Sequence, residues 1–138
     1  MGETSDGRLF RYALEGGNAI AANLLCESRA FTDSTWATIV IATTTLPTDT
    51  KISIVGQSDT WAKDELENGF LVCETDPNSN SGPNCWRIHG NDAVSGTDNF
   101  NIYLAEGATI GQLLVASTDK MIYSPSVYSK VIVSPNGA

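Results

Sequence analysis

Short stretches in which apolar residues alternate with polar ones recur along this chain. Segments 51–55 and 100–104 are the clearest, and such alternation predicts strands with one buried face, because every second side chain of a strand points to the same side. A third strand is predicted over 35–45, where Ile39, Val40 and Ile41 stand among threonines and alanines. β-Branched residues of this kind suit a pleated surface and disfavour a helix.

Two further apolar runs, 69–73 and 85–90, flank a polar tract rich in Pro, Gly and Asn. This arrangement predicts two strands joined by an exposed loop. Shorter apolar stretches follow at 112–117, 120–123 and 129–133.

The N-terminal segments 9–15 and 19–26 are separated by Gly16-Gly17-Asn18. A single amphipathic helix is one interpretation, but a glycine inside a helix costs about 1 kcal/mol. We favour two strands around a Gly-Gly-Asn turn.

One short helix or helical turn is expected around 58–68. Ser58 or Asp59 can cap it, residues 63–67 are good helix formers, and Asn68-Gly69 is a stop signal. The whole pattern predicts a small single-domain all-β fold, a β-barrel or β-sandwich, with at most this one short helix. Residues 1–15 are a candidate N-terminal arm, and 16–138 form the β-rich domain.

Composition narrows the classes of function. Of the 138 residues, 41% are hydrophobic and 17% charged, which suits one compact core. The formal net charge of −8 opposes binding to a phosphate backbone, so nucleic acid is not an expected partner. No apolar run approaches the roughly 18 residues of a membrane span, and the N-terminus lacks a signal-peptide pattern. We therefore expect no membrane partner and synthesis in a cytoplasm.

No catalytic set is recognisable. His89, the single histidine, has no accompanying nucleophile motif, so we interpret it as a structural strand-end residue. The acidic residues 64, 65 and 67 are interpreted as a solvated surface, and Asp92, Asp98 and Asn99 as turn formers rather than a calcium site. The three tryptophans are expected to be core or interface anchors, with a sugar-stacking platform as the alternative. We predict that the chain is not an enzyme and has no cofactor or metal.

Three cysteines are present, an odd number. Cys73 and Cys85 stand at the two ends of the predicted loop and could form a disulfide if their strands lie in register, which would leave Cys26 unpaired. Three thiols are the alternative for a protein made in a reducing cytosol.

Several motifs resemble a family of tailed-phage virion proteins that are typically encoded near the major capsid protein. The similar segments begin with Ser-Asp-Gly-Arg-Leu-Phe-Arg-Tyr-Ala at 5–13 and Gly-Gly-Asn-Ala-Ile-Ala-Ala-Asn-Leu-Leu at 16–25. They continue with Gly-Phe-Leu-Val at 69–72, the Pro/Gly loop, Trp-Arg-Ile-His at 86–89, the strand 101–104, and Val-Ile-Val-Ser-Pro at 131–135.

This resemblance implies a capsid decoration (cement) protein: a structural protein that binds the outside of a phage head, assembled in the host cytoplasm. Its implied partners are the major capsid protein and further copies of itself, as a trimer or dimer. Leu9, Phe10 and Tyr12 would be the apolar capsid contacts, although Phe10 and Tyr12 could instead be core residues of a first strand. The alternative function is a secreted adhesin, pilin-like or carbohydrate-binding β domain.

Overall fold

The computed structural model describes residues 2–3, 9–10, 26–27, 38–58, 60–75, 84–129 and 132–133. The chain divides into two units, one made of 1–32 with 127–138 and the other of 33–126. Twelve strands occur in the described residues: β1 (Gly2–Glu3), β2 (Leu9–Phe10), β3 (Cys26–Glu27), β4 (Ile39–Val40), β5 (Lys51–Ile54), β6 (Thr60–Trp61), β7 (Phe70–Thr75), β8 (Cys85–Asn91), β9 (Val94–Ser95), β10 (Phe100–Leu104), β11 (Lys120–Ser124) and β12 (Ile132–Val133).

The 33–126 unit is built on one antiparallel sheet in the order β4-β11-β7-β8-β10-β5. Strands β7, β8 and β10 are successive neighbours and β11 returns to lie beside β7, which is a Greek key. The outer strands β4 and β5 also meet, because Ile41 bridges Ile54. The Ala42 N–H donates to the Ser53 carbonyl at 2.9 Å, and the Val55 N–H to the Val40 carbonyl at 3.0 Å. These bonds nearly close the sheet into a barrel, which leaves little open edge.

Alternation along the strands fills the barrel interior. In β10, Phe100, Ile102 and Leu104 are buried, whereas Asn101 and Tyr103 lie half-buried on the outer face. The core is one cluster of buried apolar side chains: Ile39, Ile41, Ile52, Ile54, Trp61, Leu66, Leu71, Trp86, Ile88, Val94, Phe100, Ile102, Leu104, Ile110, Leu114, Met121 and Tyr123. Each fully buried Ile or Leu side chain contributes about 1.5–3 kcal/mol relative to an exposed one.

Aromatic contacts join the small β6–β9 pair to this core. Trp61 on β6 packs edge-to-face on Tyr123 with ring centroids 6.0 Å apart, and its Nε1–H donates to the Tyr123 hydroxyl at 3.0 Å. Phe100 makes a second edge-to-face contact with Tyr123 at 6.2 Å. Edge-to-face pairs add about 0.5–1.5 kcal/mol beyond area burial.

Where a short helix or helical turn was predicted around 58–68, the structure has turns at 63–68, and the described residues contain no helix. Asp64 and Asn68 have φ of 60° and 65°, in the left-handed region, which interrupts a right-handed helix. The side chain of Asn91 explains the local path. Its Oδ1 accepts from the Leu66 N–H at 2.8 Å, and its Nδ2 donates to the Ala62 carbonyl at 3.0 Å. These two backbone groups would bond to each other in an α-helix, so the Asn91 amide takes the place of the helical hydrogen bond.

The other unit contains two short antiparallel pairs. β1 pairs with β2, with Gly2 opposite Phe10 and Glu3 opposite Leu9. β3 pairs with β12, with Cys26 opposite Val133 and Glu27 opposite Ile132. The Gly16-Gly17-Asn18 turn lies outside the described residues, and the proposed boundary after residue 15 stays a prediction.

The predicted all-β fold class is confirmed. Strands predicted at 51–55, 69–73 and 100–104 correspond to β5, β7 and β10, and the apolar stretch 120–123 lies in β11. The strand predicted over 35–45 is continuous only at Ile39–Val40, with single bridges at Ile41 and Thr45, and 35–37 lie outside the described residues. The apolar stretch 112–117 carries a single bridge, at Leu114. No helix in the described part of the chain is long and apolar enough to cross a membrane.

Candidate binding groove

An open groove of about 420 Å³ lies on the outside of the barrel, next to β5. This volume falls within the range of about 300–1,000 Å³ typical of small-molecule sites. Polar side chains dominate the lining, which consists of Thr43, Thr44, Thr45, Thr48, Asp49, Thr50, Lys51, Ser53 and Asn101. We call this feature the threonine groove.

The wall of the groove, residues 43–50, is fixed by backbone hydrogen bonds to two other segments. On one side the Thr45 N–H donates to the Leu114 carbonyl at 2.9 Å, and the Gly111 N–H to the Pro47 carbonyl at 2.8 Å. On the other side the Leu104 N–H donates to the Thr50 carbonyl at 2.9 Å. The wall is therefore held in place before any ligand arrives.

A side chain also braces the turn within this wall. Oδ2 of Asp49 accepts from the Leu46 N–H at 2.7 Å, and the Asp49 N–H donates to the Leu46 carbonyl at 3.0 Å. This local pattern of side-chain and backbone bonds is why Pro-Thr-Asp at 47–49 forms a turn.

The floor of the groove comes from the outer faces of β5 and β10. Asn101 lies directly opposite Ser53, and Tyr103 opposite Lys51. Paired residues of an antiparallel ladder project to the same face, so these polar groups form one surface.

Asp92 orders the side chains beside this floor. Its Oδ2 accepts from Nδ2 of Asn101 at 2.7 Å and from the Asn101 N–H at 3.3 Å, and its Oδ1 accepts from the Tyr103 hydroxyl at 2.9 Å. The Asn101 hydrogen bonds, with the Tyr103 bond and the charge of Lys51 assisting, hold the pKa of Asp92 below its usual value despite partial burial. The bond to the Asp92 carboxylate raises the pKa of Tyr103.

Thr45 is a buried polar residue in the lining. It is 4% exposed, and its Oγ1 has no hydrogen-bond partner among the described residues. Leaving a buried hydroxyl unpaired costs roughly 1–3 kcal/mol, so the position is unfavourable for folding alone.

His89 lies on β8 as an exposed residue between the buried Ile88 and Gly90. It is not part of the groove lining. The acidic residues 64, 65 and 67 lie in the turn segment, where Oε2 of Glu65 accepts from the Ala62 N–H at 2.8 Å. No group of three or more His, Cys, Asp or Glu side chains able to hold a metal occurs within the described ranges.

Cys73 and Cys85 are thiols in the structure, with Cys85 exposed and Cys73 half-buried against the core. The strand register in this structure does not favour the disulfide considered above. Cys85 lies opposite Val72, whereas the Cys73 N–H donates to the Asn84 carbonyl. Since successive side chains alternate between faces, the two cysteines project to opposite sides of the sheet. The side chain of Cys26 lies outside the described residues.

Two tryptophans are core anchors, as expected. Trp61 is 3% and Trp86 4% exposed, and Nε1 of Trp86 donates to the Thr109 carbonyl at 3.1 Å. A sugar-stacking role is therefore not open to these two rings in this fold. Trp36 lies outside the described residues.

The predicted capsid-contact residues fall in the unit that contains both termini. Leu9 and Phe10 form β2, and only their backbone is described. Tyr12 lies outside the described residues, and no described residue of this set lines the groove.

Sequence reasoning did not find the threonine groove. Its signal was the density of polar residues at 43–50, where five threonines surround Pro47 and Asp49. Asn101, on the other side of the groove, lies about fifty residues further along the chain than the segment 43–50. Only the β5–β10 register shows that the two belong to one groove.

Comparisons with protein-family models, curated proteins and solved structures find no match to this chain.

Proposed function

We propose that this chain is a non-enzymatic virion protein that binds the outer surface of a phage head as a decoration (cement) protein. The observation that carries the proposal is the set of motifs at 5–25, 69–72, 86–89 and 131–135 that resemble phage virion proteins. These motifs are distributed over both structural units. The first and last belong to the same unit, where β3 pairs with β12.

The unit with both termini carries the proposed capsid contact. Within the described residues, β1 and β2 form a two-stranded pair, so each has a second backbone edge that its partner does not use. Such an edge can add to a sheet of another chain, with backbone hydrogen bonds providing affinity and side-chain pockets providing specificity. Leu9 and Phe10 on β2 are the proposed anchors.

Surface charge is consistent with this role. The net charge of −8 favours solubility and mutual repulsion of decorated particles, and opposes adhesion to the DNA that leaks from broken heads. The nearly closed barrel leaves little open sheet edge in the 33–126 unit for non-specific pairing between particles.

Co-sedimentation tests the proposal. The purified chain is mixed with expanded, undecorated phage heads assembled from a major capsid protein, and the heads are separated on a gradient. Saturable binding is expected at a fixed ratio to the capsid protein. Absence of the chain from the head fraction at every concentration would overturn the proposal.

Point variants locate the contact. Leu9→Ala and Phe10→Ala should weaken head binding by roughly tenfold or more each, since buried apolar anchors dominate interface energies. Leu46→Ala is the matched control, because Leu46 is an apolar side chain of the barrel that is 55% exposed. Equal loss in all three variants would argue against a contact at β2.

Cysteine chemistry separates this proposal from the alternative of a secreted adhesin, pilin-like or carbohydrate-binding domain. Under non-reducing conditions, the exposed Cys85 should react quickly with a thiol reagent, and the half-buried Cys73 more slowly. Protein taken from its natural source in which the pair resists labelling until it is reduced would favour the secreted alternative.

A further inference from the structure

The groups lining the threonine groove match those of a neutral ligand rich in hydroxyls. Hydroxyl side chains act as both donors and acceptors, and five threonines and Ser53 line the groove. Among them, the Thr44 Oγ1 already accepts from the Ala116 N–H at 3.1 Å, and the Thr45 hydroxyl is buried. The Asn101 amide is oriented by Asp92, whose Oδ2 accepts one of its two Nδ2 hydrogens. This bond fixes the orientation of the amide, whose Oδ1 is an acceptor.

Charge argues against an ionic ligand. The lining contains one ammonium group, Lys51, and one carboxylate, Asp49, with a second carboxylate, Asp92, behind Asn101. With one positive group and two negative groups nearby, the groove offers an anion no net attraction. The net charge of the whole protein, −8, also repels anions. A metal ion would find a single carboxylate in the lining, one of whose oxygens already accepts from the Leu46 N–H.

Thr45 provides an independent indication of a ligand. Its hydroxyl is buried at the groove and has no partner among the described residues, although valine would fit the same space without this penalty. Because Oγ1 itself has almost no solvent-accessible area, a water held beneath the groove, or the ligand after rotation of the Thr45 side chain, would complete this hydrogen bond. Polar groups that are unfavourable for folding are characteristic of functional sites.

We propose that the threonine groove binds a sugar unit of a neutral glycan. The wall at 43–50 is fixed by its backbone hydrogen bonds, so binding requires little ordering of the protein. The groove lies in the 33–126 unit, whereas the proposed capsid contacts lie in the other unit, so either proposal can fail without the other.

The test uses the full chain and a panel of neutral sugars: glucose, galactose, mannose, N-acetylglucosamine and their short oligomers. Saturation-transfer NMR detects binding, and calorimetry measures affinity. At least one sugar should bind, and Thr50→Val should weaken it roughly 3- to 10-fold, the worth of one neutral hydrogen bond. The matched control is Thr97→Val, because Thr97 is also exposed but lies outside the lining. This control should bind like the wild type.

Thr45→Val separates binding from folding. It should raise the urea midpoint of the ligand-free protein and at the same time weaken sugar binding. A loss of binding in a variant that is more stable cannot result from unfolding. The proposal is overturned if no sugar of the panel binds, if Thr50→Val and Thr97→Val bind equally, or if only inorganic phosphate or calcium binds.

Discussion

At the scale of single residues, Asp92 is the described carboxylate whose pKa the fold lowers, chiefly through the Asn101 hydrogen bonds. A lowered pKa in the folded state contributes stability that is present above the unfolded value, about 3.9, and lost as the pH falls through the folded value. Asp92→Asn should therefore destabilise the protein at pH 7 by about 1 kcal/mol, a modest effect because the site is partly solvated.

Urea denaturation at pH 7 and at a series of acidic pH values measures this effect. The difference between wild type and variant should shrink as the pH falls through the folded-state pKa of Asp92, because the stability that the lowered pKa contributes is lost there. Glu106→Gln is the control, since Glu106 is an exposed carboxylate in a turn. A difference that is constant with pH would show that Asp92 acts through shape and not through its charge.

Asn91 connects two elements, the end of β8 and the turn segment 62–66. It is fully buried, and its amide accepts from the Leu66 N–H and donates to the carbonyls of Ala62 and Asp92. Asn91→Asp keeps the shape but places a carboxylate oxygen against two carbonyls. We expect a loss of about 2–4 kcal/mol in the free energy of unfolding.

Chemical denaturation checks this prediction, with Asn99→Asp as the matched control. Asn99 is exposed in the next turn, so the same substitution there should change stability by less than about 0.5 kcal/mol. Equal effects at both positions would contradict the role given to the Asn91 amide.

Closure of the barrel at the β4–β5 junction predicts slow amide exchange there. The amides of Ala42 and Val55 donate across the β4–β5 junction, so they should exchange with deuterium as slowly as amides in the middle of the sheet. NMR-detected exchange measures this, with the exposed turn at 106–107 as the fast reference. Rapid exchange at Ala42 and Val55 would mean that the sheet is open at this junction.

The sequence was informative where structure depends on neighbouring residues. Phe100–Leu104 alternates cleanly, and its pattern predicted both the strand and its buried face. Segment 58–68 contains good helix formers, but its path is decided by the Asn91 side chain, which bonds a backbone group 25 positions away. Local propensity cannot anticipate such a partner.

The same limit applied to the candidate sites. The disulfide idea depended on the register of β7 and β8, and the groove depended on the pairing of β5 with β10. Neither register is encoded in a short pattern, although each decides which side chains share a face. The polar segment at 43–50 was visible in the sequence, but its role as a wall was not.

At the scale of the whole molecule, the two units have different proposed tasks. The unit with both termini carries the proposed capsid contact at Leu9 and Phe10, and the barrel carries the threonine groove. A decoration protein that also binds glycans would present a sugar-binding site on the outside of the particle. The capsid proposal is the central one, because the motifs that support it extend over most of the chain.

Electron cryo-microscopy of heads with and without the bound chain tests that claim most directly. The account predicts additional density outside the shell at positions related by the head's symmetry, sized for copies of this 138-residue chain. Identical maps with and without the protein, or additional density only inside the shell, would contradict it.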